Sequence, residues 1–301
     1  MKQQSRAERQ VLHNRDVHDS VVSSYEDIHT EIFNPTEQTR TAGIFEEAIL
    51  MLRTESEIPL ILDFGAGTGN LTKHLLKLGA RVLAADVSPK SLASLKVAFD
   101  GTGKFDTTGL NGVDLSNLKD NSVDMVATYS VLHHVPDYLG IVREFVRVVK
   151  SGGVIYIDHE SAPCAWLEDS DDFKAYRKEL QSVYGQPFMG RLVRKLWLIF
   201  SYNAWRRLVN RKLRGLNGEG DIHVFPDDHI EWDLIEKILL ENCELIKCMD
   251  YLVCRELEPV PPLYEKHKGK CTDMRFAGLE GDRLRGGMAY LTSCLEISCY
   301  E

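Results

Sequence analysis

One stretch, Ile61-Leu-Asp-Phe-Gly-Ala-Gly-Thr-Gly-Asn70, restricts the folds open to this chain more than any other. An apolar run from Pro59 to Leu62 leads into an acid and then into glycines alternating with small residues. Asn70 to Leu78 follows with helical spacing. A buried strand, a turn that only small residues can make and a helix N-terminus together form a cradle for a nucleotide-like cofactor. The spacing is Gly65-x-Gly67-x-Gly69. In the G-x-G-x-x-G of dinucleotide sites the third glycine packs the helix close beneath a pyrophosphate. No Lys-Ser/Thr pair follows here, which excludes a P-loop. A tight G-x-G-x-G turn suits a cofactor without phosphates whose atoms approach the peptide backbone closely.

From Pro59 onward, apolar strands and amphipathic helices alternate at short intervals, the pattern of a parallel sheet covered on both faces. The expected strands are Leu60–Phe64, Arg81–Asp86, Phe105–Val113, Val123–Tyr129 and Val154–Asp158. Ser88-Pro89 starts a helix that runs to about Phe99, Tyr138 to Val149 is another, and Ser151-Gly-Gly153 makes a tight turn into the fifth strand. Asp86 ends the second strand, where its carboxylate can accept from both hydroxyls of a ribose. Asp114, after the third, can accept from an exocyclic amine of adenine.

These residues resemble the class I S-adenosylmethionine-dependent methyltransferases, and among them the small-molecule group that includes quinone-biosynthesis methyltransferases. The resemblance rests on Leu62-Asp-Phe-Gly-Ala-Gly-Thr-Gly69, Ala85-Asp86-Val-Ser88, Val113-Asp114-Leu115, Asp124-Met-Val126 with Leu132-His-His-Val135, and Val146-Arg-Val-Val-Lys-Ser-Gly-Gly153. It covers residues 59 to 160. It implies a Rossmann-like α/β fold with a seven-stranded, mostly parallel sheet and helices on both faces. It implies S-adenosyl-L-methionine as cofactor and transfer of a methyl group to oxygen, nitrogen or carbon. The cofactor residues it implies are Asp63, Gly65, Ala66, Gly67 and Gly69 in the turn, Asp86 and Val87 at the ribose, Asp114 and Leu115 at the adenine, and Tyr129 and Ser130 on the methionine side. A protein that keeps this fold and binds the cofactor without turnover, as a regulatory partner, is the alternative.

Methyl transfer is an in-line displacement, so a protein that catalyses it supplies approach geometry and a cavity that excludes water. A base is needed only where the acceptor keeps its proton near neutral pH. His133 and His134 follow the fourth strand, beside the expected methyl group. Positioning or packing is weighed ahead of general-base chemistry for His134, and further ahead for His133. His159, just past the fifth strand, and Tyr25 and His223 elsewhere are candidate substrate contacts. No metal is expected: His223, Asp227, Asp228 and His229 have no spacing that demands one, and Asp is ordinary at a helix start.

The rest of the chain divides around this core. Residues 1–56 form an N-terminal helical extension, 57–160 the cofactor-binding core, 161–228 an insertion and 229–301 the end of the sheet. In the extension, one helix over 6–32 presents Val11, Val17, Val21, Val22, Tyr25, Ile28 and Ile32. A second starts at Asn34-Pro35-Thr36-Glu37 with Asn as N-cap and ends near Ser56. Residues 187–218 of the insertion carry eight basic side chains and no acid, and 188–213 form an amphipathic stretch flanked by Trp197 and Trp205. This is either a helical lid over the active site or a peripheral contact with an anionic membrane. After the insertion come a helix over Ile230–Leu240, a strand over Cys243–Val253, a long loop through Gly287 and a last strand, Met288–Cys299. That strand is expected antiparallel between the fifth and sixth. The net charge of −9 argues against general nucleic-acid affinity. Seven cysteines without a CxxC pair indicate neither zinc fingers nor a disulfide framework, and no apolar run reaches membrane-spanning length. A cytoplasmic protein with a small-molecule substrate is expected.

Overall fold

A computed structural model describes residues 5–161, 178, 220–225, 227–252, 273–277 and 288–295; the last three strands are described by their backbone. The amphipathic stretch 188–213, with Trp197 and Trp205, lies outside the described residues, and so does nearly all of the insertion.

The chain opens with helices α1 (Arg6–Val21), α2 (Tyr25–Ile28), α3 (Thr30–Phe33) and α4 (Pro35–Leu50). The single helix expected over 6–32 is therefore broken. Two β-branched residues and two serines in sequence, Val21 to Ser24, hold a helix weakly. The Ser24 N–H turns back to the Val21 carbonyl (2.9 Å) and closes the turn there. The start of α4 follows the sequence: the Asn34 side chain accepts from the Glu37 N–H at 3.0 Å, with Pro35 at the first helical position. Its end at Leu50 precedes the expected Ser56.

The core then alternates β1 (Leu60–Phe64), α5 (Asn70–Lys77), β2 (Arg81–Asp86), α6 (Pro89–Phe99), β3 (Phe105–Gly109), β4 (Val123–Tyr129), a 3₁₀ turn (Leu132–His134), α7 (Tyr138–Val148) and β5 (Val149–Ser161). β5 runs through Ser151-Gly-Gly153 as a bulged strand, where a separate turn was expected. The register against β4 slips between Val123 and Met125, and Gly152 takes the positive φ of 74° that this needs. β3 stops at Gly109, short of Val113, because the Asn111 side chain organises a local turn with Asp114.

A short hairpin of β6 (Val224–Phe225) and β7 (Asp228–His229) ends the insertion, followed by α8 (Trp232–Leu240), β8 (Glu244–Leu252), β9 (Asp273–Ala277) and β10 (Met288–Leu295). The sheet order is β3-β2-β1-β4-β5-β10-β8-β9. Among the described residues this sheet has eight strands, against the seven expected. β10 lies between β5 and β8 as anticipated, but parallel to both. β9, inside the expected long loop, is the antiparallel strand. It carries the chain back along the sheet edge, so that β10 starts from the same end as its neighbours.

Strand alternation divides the core into two layers. Leu62 and Phe64 of β1, with Val126, Ile155 and Ile157, pack under α7 and α8 around Phe145 and Trp232. Ile61, Met125, Ala127 and Tyr156 face the other way, onto α4 and α5 around Phe45 and Leu75. Each fully buried Val, Leu, Ile, Met or Phe among them contributes about 1.5–3 kcal/mol. These layers hold the C-terminal ends of β1, β2 and β4 rigidly side by side. Among the described residues no helix is long and apolar enough to cross a membrane.

Candidate functional site

In open α/β sheets ligands bind beyond the carboxyl ends of the strands, where the strand order reverses. Here the reversal lies between β1 and β4. A cleft opens at that point, with an empty volume of about 820 Å³ counted out to the open solvent at its mouth. Its floor is built by Gly65 and Gly67 after β1, Asp86 and Val87 after β2, and Tyr129 and Ser130 after β4. Its roof comes from the N-terminal helices, through Val11, Asn14, His18, Val22 and Tyr25.

The glycine turn is hydrogen-bonded to the next strand: the N–H groups of Gly65 and Ala66 both donate to the Ala85 carbonyl, at 2.8 and 3.0 Å. Gly65 sits at φ 73°, and a Cβ there would fall 2.4 Å from Val131 Cγ2. Gly69, at φ 95°, would place a Cβ 2.7 Å from Leu95 Cδ2, so it serves the close packing of α5 on α6. Gly67 differs. A Cβ on it would meet nothing nearer than Gly65 O at 3.9 Å, and it lines the cleft. Bare backbone thus faces open space where a ligand can lie against it.

Asp86 is buried and accepts from the Gly67 N–H (2.9 Å, Oδ2) and the Ser88 N–H (2.7 Å, Oδ1). Burial raises its pKa, and the two N–H bonds oppose that. Each carboxylate oxygen retains acceptor capacity toward the cleft, and a ribose diol matches a paired acceptor of this kind.

Asp63 lies beneath the cradle, outside the cleft lining, where Thr72 Oγ1 donates to its Oδ2 at 2.6 Å. Burial pushes its pKa up to about 7. Between the unfolded value near 3.8 and about 7 the folded chain holds a proton there that the unfolded chain has lost. The stability this gives is present below pH 3.8 and lost as pH rises through about 7. Asp63→Asn removes the dependence. Urea unfolding of the two proteins at several pH values should show the variant gaining on the parent from pH 4 to 7, by up to about 1.4 kcal/mol per pH unit. A stability difference that stays constant across that range would contradict the assignment.

Tyr129 and Ser130 line the cleft, and a buried polar network holds them from behind. Tyr129 Oη donates to Glu37 Oε1 at 2.7 Å, and Arg40 bridges Glu37 to Asp158, with Nη2 2.7 Å from Asp158 Oδ2. Tyr156 Oη donates to the same Asp158 carboxylate, and the Ser130 N–H donates to the Asp158 carbonyl at 2.9 Å. His159, at φ 60°, stacks on Tyr129 with ring centroids 4.6 Å apart, but it is not among the residues lining the cleft.

At the other end of the cleft three imidazoles gather. His134 lines it, packed edge-on against His18 (centroids 5.0 Å) and beside His133 (4.1 Å). Burial, with the neighbouring His133 and His18, holds His134 well below the usual histidine range, and burial also lowers His18. His133 turns away from the cleft, its Nδ1 2.7 Å from Glu160 Oε2. Asp221 approaches both rings from the far side of the insertion, 3.2 Å from His134 Nδ1 and 3.8 Å from His133 Nε2.

Of the residues anticipated from sequence, the cleft thus brings together Gly65, Gly67, Asp86, Val87, Tyr129, Ser130, His134 and Tyr25. Ala66 is buried against Ala84 and Leu95. Leu115 is in the main core, and Asp114 spends its carboxylate on Asn111 Nδ2 (2.7 Å) and on Ser116 Oγ (2.7 Å). These hydrogen bonds, that from Ser116 first, lower its pKa. His223 ties the insertion's end to the core, with Nδ1 2.6 Å from Asp228 Oδ1 and Nε2 3.1 Å from the Val135 carbonyl.

His18 and Asn14 were not anticipated. They stand four apart with Val11 and Val22 on the helix face that covers the cleft, and reading α1 by its apolar positions alone passes over them. Asp221 was missed because it stands in a short glycine-flanked loop, without a motif of its own.

Residues 62–157 match the family described as "Methyltransferase domain". Over 98 residues the chain is 31% identical to the ubiquinone biosynthesis O-methyltransferase of Xanthomonas campestris pv. campestris (strain B100), which is 32% of this chain and 41% of that protein. The counterpart from Xanthomonas euvesicatoria pv. vesicatoria (strain 85-10) is 30% identical over the same length. The chain thus spans about two fifths of the length of the curated relatives it matches. Solved structures similar to it include the trans-methyltransferase CalH in complex with SAH (24% identity, TM-score 0.34, 38% of this chain and 35% of that one). A putative sarcosine dimethylglycine methyltransferase from Galdieria sulphuraria is another (22%, TM-score 0.35, 40% and 44%).

Proposed function

Residues 62–157 being a class I S-adenosylmethionine-dependent methyltransferase domain, we propose that the whole chain transfers a methyl group from that cofactor to a hydroxyl of a small, partly apolar molecule. S-adenosylmethionine supplies an electrophilic methyl group on a sulfonium. Gly65 and Gly67 would lie along the cofactor with their bare backbone, Asp86 would accept from its ribose hydroxyls, and Tyr129 and Ser130 would border its methionine end. Asp63 braces the cradle from below through Thr72.

The observation that carries this reading is that Gly65, Gly67, Asp86, Tyr129 and Ser130, at the ends of three different strands, line one cleft. Oxygen as acceptor is supported by the O-methyltransferase relatives. It is also supported by the side chains at the end of the cleft, where His18 and His134 can orient a hydroxyl and take its proton. Helix α1 would exclude water: Asn14 Nδ2 donates to the His134 carbonyl at 2.7 Å, and Asp19 accepts from the Ser88 hydroxyl at the start of α6.

The test is turnover. The purified chain, incubated with methyl-labelled cofactor and a fractionated small-molecule extract, should release S-adenosylhomocysteine in step with one labelled, partly apolar product. Cofactor binding without any release across all fractions would reject the enzymatic reading and leave a binding protein.

A further inference from the structure

We propose that His133, His134 and Asp221 form a binding site for a divalent transition-metal ion, zinc by ligand type, at the end of the cleft bounded by the 3₁₀ turn. The inference does not depend on the methyltransferase reading. One ligand atom from each residue lies within 4.8 Å of the others. Asp221 Oδ1 is 3.2 Å from His134 Nδ1 and 3.8 Å from His133 Nε2. A tetrahedral zinc ion with bonds of about 2.0–2.2 Å keeps its ligand atoms roughly 3.3–3.5 Å apart, so a small closure of this set seats one ion.

Two further observations point the same way. The Glu160 carboxylate receives the Val131 and Leu132 N–H groups on Oε1 (2.9 and 2.7 Å) and faces His133 Nδ1 with Oε2 at 2.7 Å. An acceptor so placed puts the proton of His133 on Nδ1 and leaves Nε2, the atom turned towards Asp221, with its lone pair. This is the carboxylate–histidine–metal arrangement that fixes the tautomer of a ligating histidine. Separately, His134 Nδ1 is buried and makes no aligned hydrogen bond to the Asp221 carboxylate oxygen 3.2 Å away, although the Gly220 backbone also lies beside the ring. A plain histidine–carboxylate hydrogen bond would have aligned that pair; a shared ion does not require the nitrogen and oxygen to point at each other.

The backbone is organised for the same purpose. Both histidines sit on one 3₁₀ turn, and the N–H groups of Ile222 and His223 donate to the His133 carbonyl (3.0 and 3.2 Å), which pins the Asp221 loop to that turn. Two imidazoles and one carboxylate suit zinc and its neighbours better than magnesium or calcium. His134 also lines the cleft. If the methyltransferase reading holds as well, an ion there would bind the acceptor oxygen and lower the pKa of its hydroxyl, with His18 left to take the proton.

The probe is the metal alone. The full chain, stripped with a chelator, is titrated with Zn²⁺ by calorimetry and with Co²⁺ by visible absorption. One equivalent should bind. Asp221→Asn and His134→Asn should each weaken Zn²⁺ binding at least about tenfold, and Glu160→Gln, which alters only the positioning carboxylate, about 10–100-fold, with unchanged circular dichroism. The Co²⁺ spectrum of the unmodified chain should report nitrogen and oxygen ligands, and it decides the matter even where a variant fails to fold. Absence of binding, unchanged affinity in the Asp221 and His134 variants, or a thiolate-to-cobalt band placing the ion on a cysteine would each overturn the site.

Discussion

Asp86→Ala should raise the dissociation constant for S-adenosylmethionine by more than about tenfold. Two hydrogen bonds from the ribose to an ionised acceptor contribute roughly 1.5–3 kcal/mol each, and either alone is worth a factor of ten. The substitution also strands the Gly67 and Ser88 N–H groups, which Asp86 now receives at 2.9 and 2.7 Å. Burying an unmatched N–H costs about 1–3 kcal/mol, so stability falls along with affinity. Calorimetric titration separates the two, because a folded variant can still be saturated at high ligand concentration. An unchanged affinity would remove Asp86 from the ribose.

Arg40→Met should be the most destabilising single change at the site. Arg40 stands between Glu37 and Asp158, both buried, and donates to each. Removing the cation leaves two buried carboxylates that keep their tyrosine donors but lose the Arg40 charge, a loss of about 3–5 kcal/mol. A domain has only about 5–15 kcal/mol in total, so thermal or urea unfolding should show a large shift. The double variant Arg40→Met/Asp158→Asn should recover part of it. Tyr129 and the Ser130 N–H hang from this network, so cofactor affinity should fall in the single variant even where it remains folded. Loss of less than about 1 kcal/mol would mean that the network is not the support inferred here.

The contrast between these two residues explains what could be read from the chain in advance. Asp86 announces itself because strand, acid and turn are contiguous, and local backbone geometry determines where the carboxylate points. The same holds for Gly65 and Gly67, and for the Asn34 cap of α4. The Glu37–Arg40–Asp158 network joins residues 118 positions apart, and no local pattern encodes that a charge on α4 will meet one on β5. His18 and Asp221 were hidden for the same reason: they reach His134 from segments on either side of the core. The orientation of β10 was misread because the five residues 273–277 were taken as part of a long loop, and one extra strand reverses the direction of the next. Asp114 follows β3 as read, but its Oδ1 accepts from Asn111 Nδ2 and Ser116 Oγ and it is not among the residues lining the cleft.

The measurement that bears most directly on the central claim is a calorimetric titration of the intact chain with S-adenosylhomocysteine, run beside NAD⁺ and ATP. The cradle of Gly65, Gly67 and Asp86, with no third glycine spaced for a pyrophosphate, predicts one-to-one binding of S-adenosylhomocysteine and none of the phosphate-bearing nucleotides. Binding of NAD⁺ or ATP in its place, or no binding of S-adenosylhomocysteine at all, would contradict it.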